Sequence, residues 1–179
     1  AVFDIEKLNW LNGFYIRNKP LEEIASLATP YLQAAGFVKE DLGSDDYELI
    51  KAVVNATRKY LAHLSETPKY AAVFFNDDFE IDPEALPILE QEQVLAVLGL
   101  LKEKTKGSLQ IEQEDVKQML KEICSELALK GKEVFMPIRV ALTGMTKGPE
   151  MYDLIPILGG KRIATRIDNS LKKLAARKD

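Results

Sequence analysis

The chain has 179 residues, 46% of them hydrophobic and 29% charged, enough for one full core or two small cores sharing an interface. A single cysteine, Cys124, and a single histidine, His63, exclude an intramolecular disulfide and a Cys/His zinc cluster, and predict a reducing, cytoplasmic setting. The formal net charge of −4 is uneven: Asp77 to Glu92 carries seven acids and no base, whereas Lys161 to Lys178 carries seven bases against one acid, Asp168. A polyanion would respond to the basic stretch rather than to the net figure, because charges beyond ~8–10 Å are largely screened. The same stretch also reads as the solvated face of a terminal amphipathic helix. No apolar run approaches the ~20 residues of a membrane span, and "AVFDIEKLNW" holds no basic stretch followed by an apolar one, as an export signal would. With no initiator methionine and an opening that already looks structured, the chain reads as part of a longer one.

Apolar spacing is helical almost throughout. In "DIEKLNWLNGFYI", Leu8, Leu11 and Tyr15 share a face that Trp10 and Phe14 widen into a buried stripe. "NKPLEEIASLATPYLQAAGF" starts a helix near Pro20, stripes it with Leu21, Ile24 and Leu27, restarts or kinks it at Thr29-Pro30 and ends it at Gly36. Ser44 reads as the N-cap of the next helix, with Asp45 and Asp46 at the positive end of its dipole. Thr67-Pro68 opens the short helix "KYAAVFF".

The acidic stretch around Asp82-Pro83 and Pro87 reads as a linker or surface loop and as a subdomain boundary. Beyond it "EQEQVLAVLGLLKEK" is helical, Val116, Leu120, Ile123 and Leu127 stripe the following helix, and Gly131 is its expected left-handed terminator. Cys124 beside that stripe reads as a small buried thiol. Ile163, Ile167, Leu171 and Leu174 stripe the last helix. With no alternating strand pattern, the expectation is an all-α fold of about nine or ten short helices in two packed subdomains.

Catalytic chemistry is poorly supplied. Triads, zinc sites and histidine acid–base pairs need residue types that occur once or not at all. Asp45-Asp46 is explained by helix starting and Asp77-Asp78 by a solvated loop. No phosphate-cradling or dinucleotide glycine motif is present. Gly159-Gly160-Lys161 could offer free amides to a phosphate, or simply end one helix and begin another. Residue types and spacing alone reach a helical binding or interaction module.

Two segments carry the reading further. "VFDIEKLNWLNGFYIR", Val2 to Arg17, with Asp4, Lys7, Leu8, Trp10, Asn12 and Gly13 in pattern, resembles the segment downstream of the catalytic domain in bacterial-type glutamyl-tRNA synthetases. "MPIRVALTGMTKGPEMYDLIPILGGKRIATRI", Met136 to Ile167, resembles the same family's C-terminal signature, with Ile138 in place of the usual Leu and Gly160 as an additional departure. "TPKYAAVFF" resembles the family between them.

The resemblance implies an all-α anticodon-binding region. It divides the chain into residues 1–20, the end of a stem-contact region, 21–78, a first helical anticodon-binding subdomain, and 79–179, a second. It implies a module of a glutamate–tRNA ligase that binds the anticodon loop of tRNA(Glu). The family's His-x-Gly-His and Lys-x-Ser-Lys signatures are absent, so the chain by itself is expected to be catalytically inert, with ATP and magnesium used only by the full-length enzyme. Arg139, Gly148, Pro149 and Met151 match positions that touch the first two anticodon bases. Thr143 is read as structural. Lys161, Arg162 and Arg166 are candidates for steering the tRNA backbone.

Where members that accept only glutamate tRNA carry an arginine reading the third base, this chain places Tyr60, with Arg58 two residues earlier. That departure implies a non-discriminating module, with tRNA(Gln) as a second partner. A monomer is expected. The competing class is a helical protein-interaction domain without RNA binding.

Overall fold

The computed structural model describes residues 4–108 and 110–177; Val2 and Phe3 of the first quoted segment and Lys178 of the basic stretch lie outside the described residues. Nine α-helices and no strand occur among the described residues, which is the all-α architecture expected. The chain divides into two compact units, Ala1–Phe75 and Asn76–Asp179.

The first unit contains α1 (Ile5–Asn18), α2 (Leu21–Ala34), α3 (Ser44–Thr57) and α4 (Thr67–Phe75), with single 3-10 turns at Arg58–Tyr60 and Leu64–Glu66. Its core is Ile24, Ala28 and Leu32 of α2, Ile50, Val53 and Val54 of α3, Leu61, and Ala71 and Phe74 of α4. Leu27, read as a core residue, is exposed. Pro30 neither ends nor restarts α2, which runs through it. Helix α3 begins at Ser44 itself, capped by Gly43, whose N–H donates to the Asp46 carboxylate at 3.0 Å.

The stripe expected on α1 is not buried. Leu8, Trp10, Leu11, Phe14 and Tyr15 are all exposed, and the residues that α1 buries are Gly13 and Ile16. Polar docking explains the inversion. Asn12 Nδ2 donates to the Ala62 carbonyl at 2.8 Å and lies 3.0 Å from His63 Nδ1, while His63 Nε2 is 2.8 Å from Asn9 Oδ1. A Cβ at Gly13 would stand 3.0 Å from the Leu61 carbonyl oxygen, so glycine here lets α1 sit a few tenths of an ångström closer to this segment. Asp4 caps the helix by accepting from Lys7 N–H at 3.1 Å.

The second unit contains α5 (Leu86–Leu89), α6 (Val94–Thr105), α7 (Gln113–Glu126), α8 (Gly131–Thr143) and α9 (Met151–Ala176). Val97, Leu98 and Leu101, then Val116, Leu120 and Ile123, then Val134, Ile138 and Leu142, and finally Leu154, Ile155, Ile163 and Ile167 meet in one core. Each such side chain contributes roughly 1.5–3 kcal/mol on burial. Cys124, expected to be buried, is half-buried. Gly131 does not terminate α7 but begins α8; the left-handed residue closing α7 is Ala128, φ 53°. Leu129 N–H donates to the Cys124 carbonyl and Ala128 N–H to that of Ser125, a Schellman closure built without glycine.

The acidic stretch is no free linker. Ile81, Ala85 and Leu89 are buried, and Asp82 N–H donates to the Gly144 carbonyl at 2.9 Å. Residues 76–78, expected with the first subdomain, fall in the second unit, where Asp77 is ion-paired with Arg162 and Arg166. Residues 1–20, expected as a separate segment, belong to the first unit.

Candidate nucleic-acid interface

Thr143 ends α8 by turning its hydroxyl onto the Arg139 carbonyl at 2.7 Å and accepting from Met145 N–H at 3.2 Å, the structural role expected of it. Gly144 follows with φ 75°, and a Cβ there would sit 2.2 Å from the Glu80 carbonyl oxygen, so the acidic stretch closes directly over this turn. The chain returns through Lys147, Gly148 and Pro149 to start α9 at Met151. Arg139 Nη1 donates to the Pro149 carbonyl at 2.8 Å, which fixes the half-buried guanidinium across the corner. Its remaining N–H groups find no hydrogen-bond acceptor among the described residues. Gly148 is exposed, whereas Pro149 and Met151 are buried. The corner therefore presents the Arg139 head and the Gly148 backbone, and Pro149 and Met151 shape it from beneath.

Asp77 gathers two arginines of α9. Arg162 Nη2 and Nε donate to its two carboxylate oxygens at 2.8 and 2.9 Å, and Arg166 Nε donates to Oδ1 at 2.7 Å. Arg166 also donates to the Leu142 carbonyl at 2.8 Å, and Ser170 Oγ to that of Ala141 at 2.8 Å, so α9 supplies donors to the carbonyl end of α8. Partial burial alone would raise the Asp77 carboxyl, but the bonds from Arg162 and Arg166 outweigh it and hold it below the ordinary carboxylate value. Burial draws the Arg166 guanidinium down from its ordinary value while Asp77 opposes the change.

This geometry corrects two sequence expectations. Arg166, a candidate for the tRNA backbone, is 0% exposed and positions α8 instead. Asp77, read as part of a solvated loop, is the central acceptor of the cluster. Nor does the basic stretch stand free as a pole: Lys173 bonds Asp78 and Glu80. Arg162 is half-buried against Asp77. Lys161 alone of the three backbone candidates is exposed, on the rim of a cleft of about 580 Å³ that also involves Lys102, Lys106 and Gly160.

In the first unit, the Arg58–Tyr60 turn separates its two candidate residues. Arg58 Nη1 reaches the Lys19 carbonyl at 3.3 Å and ties the turn to the end of α1. Tyr60 is 40% exposed and stacks on Tyr70 of α4, ring centroids 5.7 Å apart and planes inclined by 20°. Lys59 Nζ lies 5.2 Å from the Tyr60 centroid, and Lys69 Nζ 5.2 Å from that of Tyr70. Glu66 closes the chain beyond, accepting from the N–H groups of Ala62 and His63 at 2.8 and 3.0 Å, which hold its carboxyl below the ordinary value. Tyr70, Lys59 and Lys69 escaped the sequence reading, although two Lys-Tyr dipeptides ten residues apart were a visible signal.

The family's catalytic motifs are missing, and no group of three or more His, Cys, Asp or Glu among the described residues is placed to hold a metal ion. No described helix is long and apolar enough to cross a membrane.

Comparison with known proteins places these features. The family described as "Anticodon binding domain" matches residues 23–171. The chain is 40% identical over 169 residues to the glutamate–tRNA ligase of Carboxydothermus hydrogenoformans, covering 94% of this chain and 35% of that protein. It is 40% identical over 173 residues to that of Desulforamulus reducens, covering 96% and 36%. The chain thus spans about a third of the length of these relatives. The fold is also that of part of a glutamate tRNA ligase from Elizabethkingia meningosepticum, solved in complex with its amino acid (TM-score 0.82, 22% identity, 96% of this chain and 33% of that one). With the family match covering most of its length, the chain belongs to the anticodon-binding domain family.

Proposed function

We propose that this chain is the anticodon-reading part of a cytoplasmic glutamate–tRNA ligase, and that it binds the anticodon loops of tRNA(Glu) and tRNA(Gln) as a monomer without catalysis of its own. The carrying observation is the Arg139 corner: a guanidinium anchored at one nitrogen by the Pro149 carbonyl, beside the exposed Gly148 backbone. Splayed bases of a single-stranded loop are recognised by planar donors of this kind held at fixed geometry. Acceptance of both tRNAs rests on Tyr60 standing where the resemblance implies an arginine. The alternative of a protein-interaction domain is not favoured, since the family match covers both candidate surfaces.

Binding of anticodon stem-loops from tRNA(Glu), tRNA(Gln) and an unrelated tRNA tests the reading. Tight binding of the first two, with Arg139→Ala weakening both about tenfold or more, supports it; a lost charged hydrogen bond of this kind costs about 1.5–3 kcal/mol. Equal affinity for all three loops, unchanged by the substitution, overturns it.

A further inference from the structure

We infer that the cleft between the end of α6 and the second segment of α9 holds the phosphate backbone of the bound RNA, with Lys106 and Lys161 as its cations. The inference rests on the RNA-binding reading and names where the backbone, as distinct from the anticodon bases, is held. The rest of the basic stretch offers little grip, because Arg162, Arg166 and Lys173 are committed to the acids of residues 77–80. Lys161 and Lys106 differ from them. Both are exposed, both line the same cleft of about 580 Å³, and neither ammonium has an acid partner among the described residues.

The walls of the cleft are fixed. Lys102 Nζ pairs with Asp168 at 2.7 Å and ties α6 to α9, while Gly160 lies so close to α6 that a Cβ would stand 2.1 Å from the Thr105 carbonyl oxygen. Lys161 is badly placed for its own helix. Gly159 is non-helical, so Lys161 stands in the first turn of the segment that follows, at the positive end of a dipole that disfavours cations and favours anions. A phosphate in the cleft removes that repulsion. Glu103 is the one acid of the lining besides these pairs, so two unpaired ammonium groups outweigh one carboxylate.

The position suits a strand held at the Arg139 corner. That corner leads into Met151, and the helical run from Met151 to Gly159 covers roughly 12 Å, a few nucleotides of single strand. Phosphate contacts set register and carry no sequence information. The cleft therefore contributes to both tRNAs alike, and the corner does the reading.

The test titrates the anticodon stem-loop of tRNA(Glu) against the chain and its Lys106→Gln, Lys161→Gln, doubly substituted and Glu103→Gln variants across a range of salt. Lys121→Gln, an exposed lysine of α7 outside the cleft, and Arg139→Ala run in parallel. Each cleft lysine is expected to cost about two- to fivefold in affinity and to make the log–log salt slope shallower by about 0.7, the double variant by about 1.4. Glu103→Gln is expected to strengthen binding, and Lys121→Gln to leave the slope unchanged. Stem-loops carrying a single uncharged methylphosphonate linkage then locate the contact: one or two linkages should weaken the unaltered chain and leave the double variant unaffected. A double variant with the original affinity and slope, a Lys121→Gln slope as shallow as those of the cleft variants, no gain with Glu103→Gln, or no linkage with that dependence overturns the cleft. If Arg139→Ala weakens binding while the double variant does not, the cleft falls and the RNA reading stands. If no loop binds at all, both fall. Circular-dichroism melts are expected to be unchanged for the lysine variants, since both side chains are exposed and unpaired among the described residues.

Discussion

With the Asp77 carboxylate removed, the Arg166 guanidinium, 0% exposed, would keep its charge in the interior and lose the ion that balances it. Stranding a buried charge in this way costs about 3–5 kcal/mol, and the low end applies because the Asp77 side chain itself is 37% exposed. Asp77→Ala is therefore expected to destabilise the second unit by about 3 kcal/mol in urea unfolding followed by circular dichroism. The pH dependence has a definite sign. Asp77 is held below its ordinary value of 3.8, so its contribution is whole above that pH and is lost as pH falls through the lower folded value. Asp77→Asn should flatten the acid limb below 3.8 and leave the slope near neutrality unchanged. At the same scale Ala128 holds a left-handed conformation that costs an L-residue roughly 1–2 kcal/mol. Ala128→Gly is expected to stabilise the chain by about 0.5–1 kcal/mol, read from the same titration. A destabilisation would mean that the exposed methyl contributes more than the backbone strain removes.

Among the elements, α9 shows how two adjacent glycines serve different ends. Gly159 sits at φ 67°, ψ 163°, a conformation open to glycine and to almost nothing else, and it breaks the helix into two segments. Gly160 has no such constraint, but its Cβ would lie 2.1 Å from the Thr105 carbonyl oxygen. Gly159→Ala is expected to cost about 1–3 kcal/mol through backbone strain although its surroundings are open. Gly160→Ala should cost about 3 kcal/mol or more, because α6 and α9 must move apart to admit the methyl. In thermal melts Gly160→Ala is expected to fall further than Gly159→Ala, and a Thr105→Ser background, which leaves the clashing backbone carbonyl in place, should rescue neither. Helix α1 is governed by polar docking instead. Its Asn9 and Asn12 meet residues 62 and 63, and of its apolar side chains Ile16 is buried while Leu8, Trp10, Leu11, Phe14 and Tyr15 are exposed.

Over the whole molecule, charge is organised by pairing more than by polarity. The basic face of α9 spends Arg162, Arg166 and Lys173 on the acids of residues 77–80, so a polyanion would meet far fewer free cations than the stretch contains. RNA binding through four or five cationic contacts gives a log–log salt slope of about −3. That slope is expected for the anticodon stem-loop, with Arg139→Ala making it shallower by about 0.7. A slope near −5 would instead mean that the paired cations open to the RNA.

Helical periodicity was enough to establish the all-α class and the buried apolar positions of α7 and of α9 beyond Gly159, because packing a helix into a core requires apolar residues every three or four positions, and Val116, Leu120, Ile123, Ile163 and Ile167 follow that rule. The same rule misplaced Leu8, Leu11 and Tyr15, since periodicity marks an apolar face without stating what lies against it. The family's motifs named Arg139, Gly148, Pro149 and Met151 together; the fold alone decided that Pro149 and Met151 are buried while Arg139 and Gly148 keep some exposure. Arg166 and Asp77 are 89 residues apart, and no local pattern in a charged stretch tells a solvated arginine from one buried against a distant carboxylate. Desolvation and ion pairing depend on neighbours brought together by the chain's path, which is why tertiary structure settled those roles.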